Sequence, residues 1–230
     1  MNKYLLLILA LSFQLSFAQR KPLGVGLPAI IDGKKIPGVV AVEGDFIYMA
    51  KTEVSNSQYK EYLFWLKKHN PEIYPAALPD TTAWRLSSIY NEPFVNYYFQ
   101  HPAYKDFTVV NVSQQQAADY CKWLHGQLKI TLKLNQSNID SFIVRLPTEA
   151  EWINAARGGL PSSAIYPWEG EDIRIKKGKN VEMLRLNCNL SSSHPELNEN
   201  NYNGFITTPV ESYWPNGYGL YNMAGNVNEW

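Results

Sequence analysis

The sequence predicts an α+β domain in which little of the chain forms regular helix or strand. Three segments begin with a helix-capping side chain, one segment alternates as a strand, and turn sequences fill the chain beyond Gly159. With 45% hydrophobic residues, the 230-residue chain can bury a sizeable core, so weak periodicity does not indicate disorder. The 21 basic and 21 acidic residues cancel and form no basic stripe, which gives nucleic-acid binding no support.

Residues 1–18 predict a secretory signal peptide cleaved after Ala18. A short basic start precedes the apolar residues 4–13, and small residues stand at 16 and 18. About ten apolar residues are too few to cross a bilayer, and no later segment is apolar enough to do so. No cysteine near the cut offers a site for a lipid anchor. We therefore expect an exported protein without a membrane span, either periplasmic, outer-membrane-associated or secreted.

The first elements of the mature chain are predicted to be an arm and a strand. Residues 19–43 contain proline and glycine and are expected to form an extended N-terminal arm. The segment "FIYMAKTEVS", residues 46–55, alternates enough to predict a strand that ends where a helix begins. We therefore expect the folded domain to cover residues 44–230.

Each of the three helices is predicted from a capping box. A hydroxyl stands three residues before Gln or Glu, so each side chain can satisfy a free backbone N–H of the first turn. Gly158 and Gly159 predict the end of the third helix. The three pairs are Ser55 with Gln58, Ser113 with Gln116, and Thr148 with Glu151.

Residues 74–112 separate the first two predicted helices. This segment is long, rich in proline and tyrosine, and weakly periodic. Long irregular segments within a compact domain are usually functional. We therefore expect this insert to be a functional or partner-facing loop.

The two cysteines, Cys121 and Cys188, leave two interpretations open. An exported protein can bridge a pair, but Cys121 lies on a predicted core-facing helix, where a buried free thiol is equally reasonable. The four histidines show no metal-ligand spacing and are expected on the surface or in loops. Neither a phosphate-binding loop nor a nucleophile elbow occurs. The residues alone thus nominate no catalytic group.

Five specific segments follow one another along the chain. They are "KTEVSNSQYKEYL" (51–63), "VVNVSQQQAADYCKWL" (109–124), "RLPTEAEWINAARGG" (145–159), "YPWEG" (166–170) and "WPNGYGLYNMAGNVNEW" (214–230). In this order they resemble the formylglycine-generating enzyme family, also called the sulfatase-modifying factor domain. The resemblance extends over residues 44–230 and implies an α+β fold of low regular content, related to C-type lectins. The insert further resembles members associated with gliding motility and type IX secretion in Bacteroidetes.

The resemblance implies two structural Ca²⁺ sites. Calcium takes oxygen ligands from carboxylates, amides and backbone carbonyls, and the matching positions supply these. Asparagine and glycine also favour turns without any metal. Asn203 stands where the family usually has aspartate, and a lost charge weakens such a site. The first set is Asn222, Gly225, Val227 and Glu229, and the second is Asn189, Leu190, Asn203 and Phe205.

Catalysis in the family depends on two copper-binding cysteines that follow the segment ending here at Trp230. The resemblance therefore implies a domain incomplete at the C-terminus, without catalytic residues or copper in this chain. Cys121 matches a cysteine that is a structural disulfide partner in some members. Because this implied redox segment is not part of the sequence, we expect a non-enzymatic function.

Three functions are open at this point. The first is an exported, non-catalytic component of the cell envelope, with envelope or secretion-complex proteins as partners. The second is a fragment of a formylglycine-generating oxidase, which converts a sulfatase cysteine to formylglycine. Carbohydrate binding is a third, by analogy with the lectin-like fold alone.

Overall fold

The computed structural model confirms a mixed α and β domain of short elements. It describes residues 6–7, 28–31, 34–42, 47–86, 91–132, 142–176, 183–187 and 207–230. Within these ranges the strands are β1 (Leu6–Leu7), β2 (Pro28–Ile31), β3 (Lys34–Val42), β4 (Ile47–Ala50) and β5 (Ile143–Val144). The α-helices are α1 (Asn56–His69), α2 (Glu92–Tyr97), α3 (Gln114–Leu132) and α4 (Glu149–Arg157).

Three strands form an antiparallel sheet in the order β2-β3-β4. Strand β1, which lies within the predicted signal peptide, pairs in parallel with β5, so cleavage after Ala18 would remove this pair from the mature protein. The register shifts between Pro28 and Ala29, which marks a bulge. The described part of the predicted arm therefore belongs to a sheet. Val40 and Val42 of β3 pack with Leu220 in a core cluster, so the predicted domain boundary after residue 43 is not a packing boundary.

Strand β4 is shorter than the strand predicted over residues 46–55. The amide of Lys51 still donates to Gly38 at 2.8 Å, but its carbonyl accepts from Tyr221 at 2.8 Å. The chain leaves the sheet here because the C-terminal loop takes its hydrogen bonds. This departure places Glu53 in a loop rather than in a strand.

All three predicted capping boxes are present. The N–H of the capping residue donates to the Gln or Glu side chain at 2.8 Å for Ser55, 2.7 Å for Ser113 and 2.7 Å for Thr148. Gly158 ends α4 with a left-handed φ of 62°, as the glycine pair predicted. None of the helices in the described ranges combines the length and apolar character needed to cross a membrane.

Aromatic side chains hold α1 against α3. Tyr59 of α1 stacks on Tyr120 of α3 with ring centroids 5.7 Å apart, and Tyr62 packs edge-on against the same ring at 5.8 Å. The Tyr59 hydroxyl donates to the Ala77 carbonyl at 2.9 Å, so the buried polar tip is satisfied. The first capped helix is thereby fixed to the second.

The insert over residues 74–112 is a packed module rather than the irregular loop that we expected. Helix α2 and short 3₁₀ turns bring its aromatic rings together, with Tyr98 at their centre and 2% exposed. Trp84 and Tyr104 contact the Tyr98 ring, with centroids 4.9 and 5.2 Å away. Burial of these rings explains why a segment without periodicity is ordered. Leu86 and Tyr97 stay exposed, at 89% and 57%.

His125 is not the surface or loop residue that the sequence suggested. It lies on α3, partly buried, with its ring 5.0 Å from that of Phe142. Burial, together with the charge of Lys129, lowers the pKa of its imidazole, which favours the neutral form. A single histidine on a helix face gave no periodic signal that distinguished a core-facing from a solvent-facing position.

Candidate metal centre in the C-terminal loop

The backbone of the loop over residues 222–229 needs the asparagines and the glycine found there. Asn222 and Asn226 adopt left-handed φ angles of 56° and 90°, which asparagine tolerates better than most residues. A Cβ on Gly225 would lie 2.4 Å from the Asn187 carbonyl oxygen. The residue types that predicted a turn are therefore required by the path of the chain.

Asn226 connects the loop to the rest of the domain. Its amide nitrogen Nδ2 donates to Glu53 Oε1 at 2.7 Å and to Thr108 Oγ1 at 3.0 Å. Its oxygen Oδ1 accepts from the Thr208 N–H at 2.7 Å, and its own N–H donates to the Asn187 carbonyl at 2.7 Å. This side chain fixes the loop against segments far apart in the sequence.

Asn222 presents a buried oxygen without a donor. Its Nδ2 donates to Glu53 Oε2 at 3.0 Å and to the Val210 carbonyl at 3.2 Å. Its Oδ1 is buried and accepts no hydrogen bond from any residue in the described ranges. Asn222 and Gly225 line a cavity of about 10 Å³, roughly the space of one water-sized particle. An unsatisfied amide oxygen beside such a space fits a cation site.

One carboxylate, Glu229, belongs to this loop, and a second, Glu53, accepts hydrogen bonds from it. Glu229 is exposed, and its Oε2 accepts from the Trp152 indole N–H at 3.0 Å. The pKa of Glu229 is raised to about 7, chiefly by desolvation from the surrounding protein and also by repulsion from Glu53, while the Trp152 hydrogen bond opposes the rise. Burial also raises the pKa of Glu53, against the hydrogen bonds from Asn226 and Asn222. A bound cation would relieve the cost of keeping both groups ionised.

The structure places the predicted calcium residues unequally. Asn222, Gly225, Val227 and Glu229 lie on the loop just described, and its hydrogen bonds bring Asn222 to Glu53. Glu53 was missed because sequence analysis placed it inside a strand. The one sequence feature that could have indicated Glu53 is its position as an acidic residue shortly before the helix cap Ser55. The second predicted set, Asn189, Leu190, Asn203 and Phe205, lies outside the described residues.

The described ranges hold no group of three His, Cys, Asp or Glu residues arranged as metal ligands. A cation at the C-terminal loop would therefore depend on amide and carbonyl oxygens besides the carboxylates. That donor set consists of hard oxygens and suits Ca²⁺ better than a soft metal.

Helix α4 positions Trp152, and two contacts hold α4 in place. At its N-terminus Arg145 donates to both Glu151 oxygens, at 2.7 and 2.6 Å, and the pKa of Glu151 falls to about 2 mainly through these hydrogen bonds. At its C-terminus the Asn216 amide donates to the carbonyl of Ala155 at 2.7 Å. The segments "RLPTEAEW" and "WPNGYG" thus fix the helix that carries the partner of Glu229.

Cys121 is a free thiol on α3 and is partly buried. Burial raises its pKa to about 11, the opposite of the lowered pKa that makes cysteines reactive. Cys188, the other candidate for a bridge, lies outside the described residues. Of the two interpretations, a bridged cysteine or a free thiol, the structure has Cys121 as a free thiol.

The fold and the site define a mixed α and β domain with a turn-rich, polar C-terminal loop. Comparison of its sequence with protein-family models identifies the family. The Sulfatase-modifying factor enzyme 1-like domain matches residues 33–230. The chain belongs to this family. The match begins one residue before β3, in agreement with the packing of that strand into the core.

Curated relatives include proteins named as active and as inactive enzymes. The chain is 48% identical over 123 residues to a formylglycine-generating enzyme of Thermomonospora curvata, covering 53% of this chain and 32% of the relative. A formylglycine-generating enzyme of Mus musculus is 35% identical over 122 residues, 53% of this chain and 26% of the relative. An inactive C-alpha-formylglycine-generating enzyme 2 of Bos taurus is 35% identical over 128 residues, 54% and 32% respectively. The chain thus spans about a third or less of the relatives it matches.

Proposed function

We propose that this chain is an exported sulfatase-modifying-factor domain that binds structural Ca²⁺ and acts through its surface, as a non-catalytic component of the cell envelope. The observation that carries the calcium part is the cluster of Glu53, Glu229 and the buried Asn222 Oδ1. Two carboxylates that repel each other beside an amide oxygen without a donor are the environment that a hard cation stabilises.

The ligands we assign are the side-chain oxygens of Asn222 and Glu229 and the backbone carbonyls of Gly225 and Val227. Glu53 adds a second carboxylate to this set. When bound, the ion supplies positive charge and no redox chemistry. The residues of the chain position these ligands. Asn226, with its left-handed backbone, holds the loop against Glu53, and Trp152 orients the Glu229 carboxylate.

Cys121 is unsuited to redox chemistry, which agrees with a structural function for this residue under either candidate function. Oxidation and copper binding need a thiolate, and burial of Cys121 favours the protonated thiol. We assign this chain no catalytic residue and no copper. Relatives of similar identity carry both active and inactive names, so family membership alone does not decide the activity.

The envelope assignment is supported by two features of the sequence. Residues 1–18 have the pattern of a signal peptide, and the insert over residues 74–112 resembles members associated with gliding motility and type IX secretion. Envelope or secretion-complex proteins are the partners that we propose. The exposed side chains of Leu86 and Tyr97 are where the insert offers apolar contact.

A second candidate function is that of a formylglycine-generating oxidase, of which this chain is one part. The identity of 48% to the Thermomonospora curvata protein favours it. In that case the protein converts a sulfatase cysteine to formylglycine. The buried Cys121 thiol would then be structural, and the oxidising cysteines would come from another part of the protein.

Isothermal titration of the calcium-depleted chain with CaCl₂ tests the cation site. We expect binding by the wild type, loss of that binding in Glu229→Gln, and wild-type affinity in Glu149→Gln, whose carboxylate is exposed in the first turn of α4. Binding that survives in Glu229→Gln would contradict the assignment of this loop. Retained melting temperature in EGTA would contradict a structural role for the ion.

Mass spectrometry of a cysteine-containing sulfatase peptide, incubated with the chain, copper and oxygen, separates the two functions. We expect no aldehyde on the peptide, with a formylglycine-generating enzyme as positive control. Cell fractionation supplies the complementary measurement, with the chain expected in the envelope fraction. Aldehyde formation by the purified chain would replace our proposal with the oxidase function.

A further inference from the structure

An open depression of about 500 Å³ lies beside the turn-rich region and shares Arg185 and Trp214 with the small cavity next to Asn222 and Gly225. Its size falls in the range typical of small-molecule sites, roughly 300–1,000 Å³. We call it the Trp214 depression. It is lined by Glu169, Asp172, Arg174, Ile175, Lys176, Arg185 and Trp214.

The frame of the depression is held by backbone hydrogen bonds. Two short extended segments pair through the Arg174–Leu184 bridge, with Arg185 N–H donating to the Ile173 carbonyl at 2.9 Å. The Trp168 indole N–H donates to the Asp172 carbonyl at 3.0 Å and closes the turn that leads into the first of these segments. The lining is therefore arranged before any ligand arrives, which lowers the entropic cost of binding.

Arg185 is the anchor that this frame offers to an anion. Its guanidinium lies over the Trp168 ring, 4.5 Å from the centroid, and is partly buried. In the described ranges it forms no ion pair, whereas the neighbouring carboxylate of Asp172 is paired with Lys176 at 2.6 Å. A planar guanidinium held on an indole presents its N–H edge in the geometry that binds carboxylates through two hydrogen bonds.

The remaining lining favours a ligand with hydroxyl groups over a purely anionic one. Among the described lining residues, three are cationic and two carry carboxylates, so the depression offers both hydrogen-bond donors and acceptors. Hydroxyls can accept from the cations and donate to the carboxylates. Trp214 is 39% exposed and supplies an apolar face on which a sugar ring can stack.

We propose that the Trp214 depression binds an acidic saccharide. The carboxylate of a uronic acid residue pairs with Arg185, its ring packs on Trp214, and its hydroxyls bond to the charged side chains around the rim. An acidic peptide lacks these hydroxyls and the rigid ring that packs on Trp214. None of the lining residues is an assigned calcium ligand, although Arg185 and Trp214 also line the small cavity beside Asn222.

Titration calorimetry with matched saccharides tests this inference. The probes are trisaccharides of galacturonate, glucuronate and mannuronate, each with its methyl ester as a neutral counterpart, and an acidic tripeptide. We expect at least one free acid to bind about tenfold or more tightly than its ester. Failure of all three acids to bind, equal affinity for the esters, or tighter binding of the peptide would each overturn the proposal.

Variants of the anchor and of the platform assign the binding to this depression. Arg185→Gln and Trp214→Ala are expected to weaken binding about tenfold, while Trp214→Phe keeps an aromatic face and most of the affinity. Arg85→Gln is the control, because Arg85 lies in the insert and pairs with Glu92. Melting curves of each variant separate loss of the site from loss of the fold. Undiminished binding by folded Arg185→Gln would refute the assignment, as would equal loss in Arg85→Gln.

Repeating the titration in EGTA separates this proposal from the calcium proposal. Saccharide binding is expected to persist without free calcium as long as the domain stays folded, because none of the lining residues belongs to the cation set. Loss of binding in EGTA by a protein that keeps its melting temperature would show a calcium-dependent sugar site and overturn the proposal.

Discussion

At the residue scale, local pairs were predictable from the sequence and distant ones were not. The capping boxes join residues three positions apart, so their spacing can be read directly from the chain. Glu53 contacts Asn222 and Asn226 across a separation of 169 and 173 residues, which no spacing rule reveals. The predicted turn at the C-terminal loop was thus confirmed, while its acidic partner had to come from the structure.

The ion pair within "RLPTEAEW" makes a testable contribution to stability. The Glu151 side chain is 15% exposed and Arg145 28%, and Glu151→Gln keeps the capping hydrogen bond while removing the charge. We expect a loss of about 1–2 kcal/mol in the free energy of unfolding, measured by urea denaturation near neutral pH. Glu149→Gln is the matched control, with an expected change of a few tenths of a kcal/mol.

The same ion pair has a defined pH dependence. The pKa of Glu151 is lowered from its usual value of 4.5 to about 2 in the folded state. Its stabilisation is therefore fully present above about pH 4.5 and is lost as the pH falls towards 2. The difference between wild type and Glu151→Gln should shrink over that interval. A constant difference down to about pH 3 would show that the pair is not the source of the effect.

At the element scale, the start of α4 was predictable and the environment of its end was not. Thr148 and Gly158 mark its two ends in the sequence. The Asn216 side chain, 4% exposed, reaches the last turn from a segment about sixty residues later, with Nδ2 donating to Ala155 and Ala156. Strand β3 was missed for a related reason, because its Pro and Gly suppress the strand signal and only its partners stabilise it.

Truncating Asn216 should destabilise the protein strongly. Its Oδ1 also accepts from the N–H groups of Tyr218 and Leu220, at 3.0 and 3.1 Å. Asn216→Ala leaves these buried groups and the α4 carbonyls without partners. We expect a loss of about 2–4 kcal/mol in urea denaturation.

Gly126→Ala serves as the opposite control for Asn216→Ala. It lies within α3, and an added Cβ would meet nothing within 4 Å. Replacing glycine within a helix should therefore raise stability by about 0.5–1 kcal/mol. An Asn216→Ala protein as stable as the wild type, within about 0.5 kcal/mol, would mean that the α4 end does not depend on this side chain.

At the scale of the whole molecule, polar and aromatic contacts between distant segments stabilise a chain with few regular elements. The sequence predicted the mixed helix and strand content correctly, but not that the described part of residues 74–112 would pack around Tyr98. Aromatic packing has no fixed period, so composition indicated a core without locating it. The C-terminal loop is the other long-range connection, since it joins the loop after β4 to α4 through Glu53, Glu229 and Trp152.

The strongest prediction about the whole molecule concerns calcium and pH together. In the calcium-free protein the pKa of Glu229 is about 7, raised from its usual value of 4.5. Because the folded-state pKa is raised, the contribution of Glu229 to the free energy of unfolding is largest below about pH 4.5. That contribution is lost as the pH rises through about 7. Calcium favours the ionised carboxylate, so protons compete with the ion at low pH. The gain in melting temperature on adding calcium should therefore be larger at about pH 8 than at about pH 5.5.

Glu229→Gln tests both effects, because it removes the carboxyl group with the raised pKa, which is also the assigned ligand. At about pH 8 the variant is expected to melt at or above the calcium-free wild type, but below the calcium-saturated wild type. Scanning calorimetry with EGTA and with excess CaCl₂ measures all four states. If calcium raises the melting temperature of wild type and variant equally, the ion binds elsewhere on the domain. If the wild type gains as much at the lower pH as at the higher, Glu229 is not a ligand whose charge the ion neutralises.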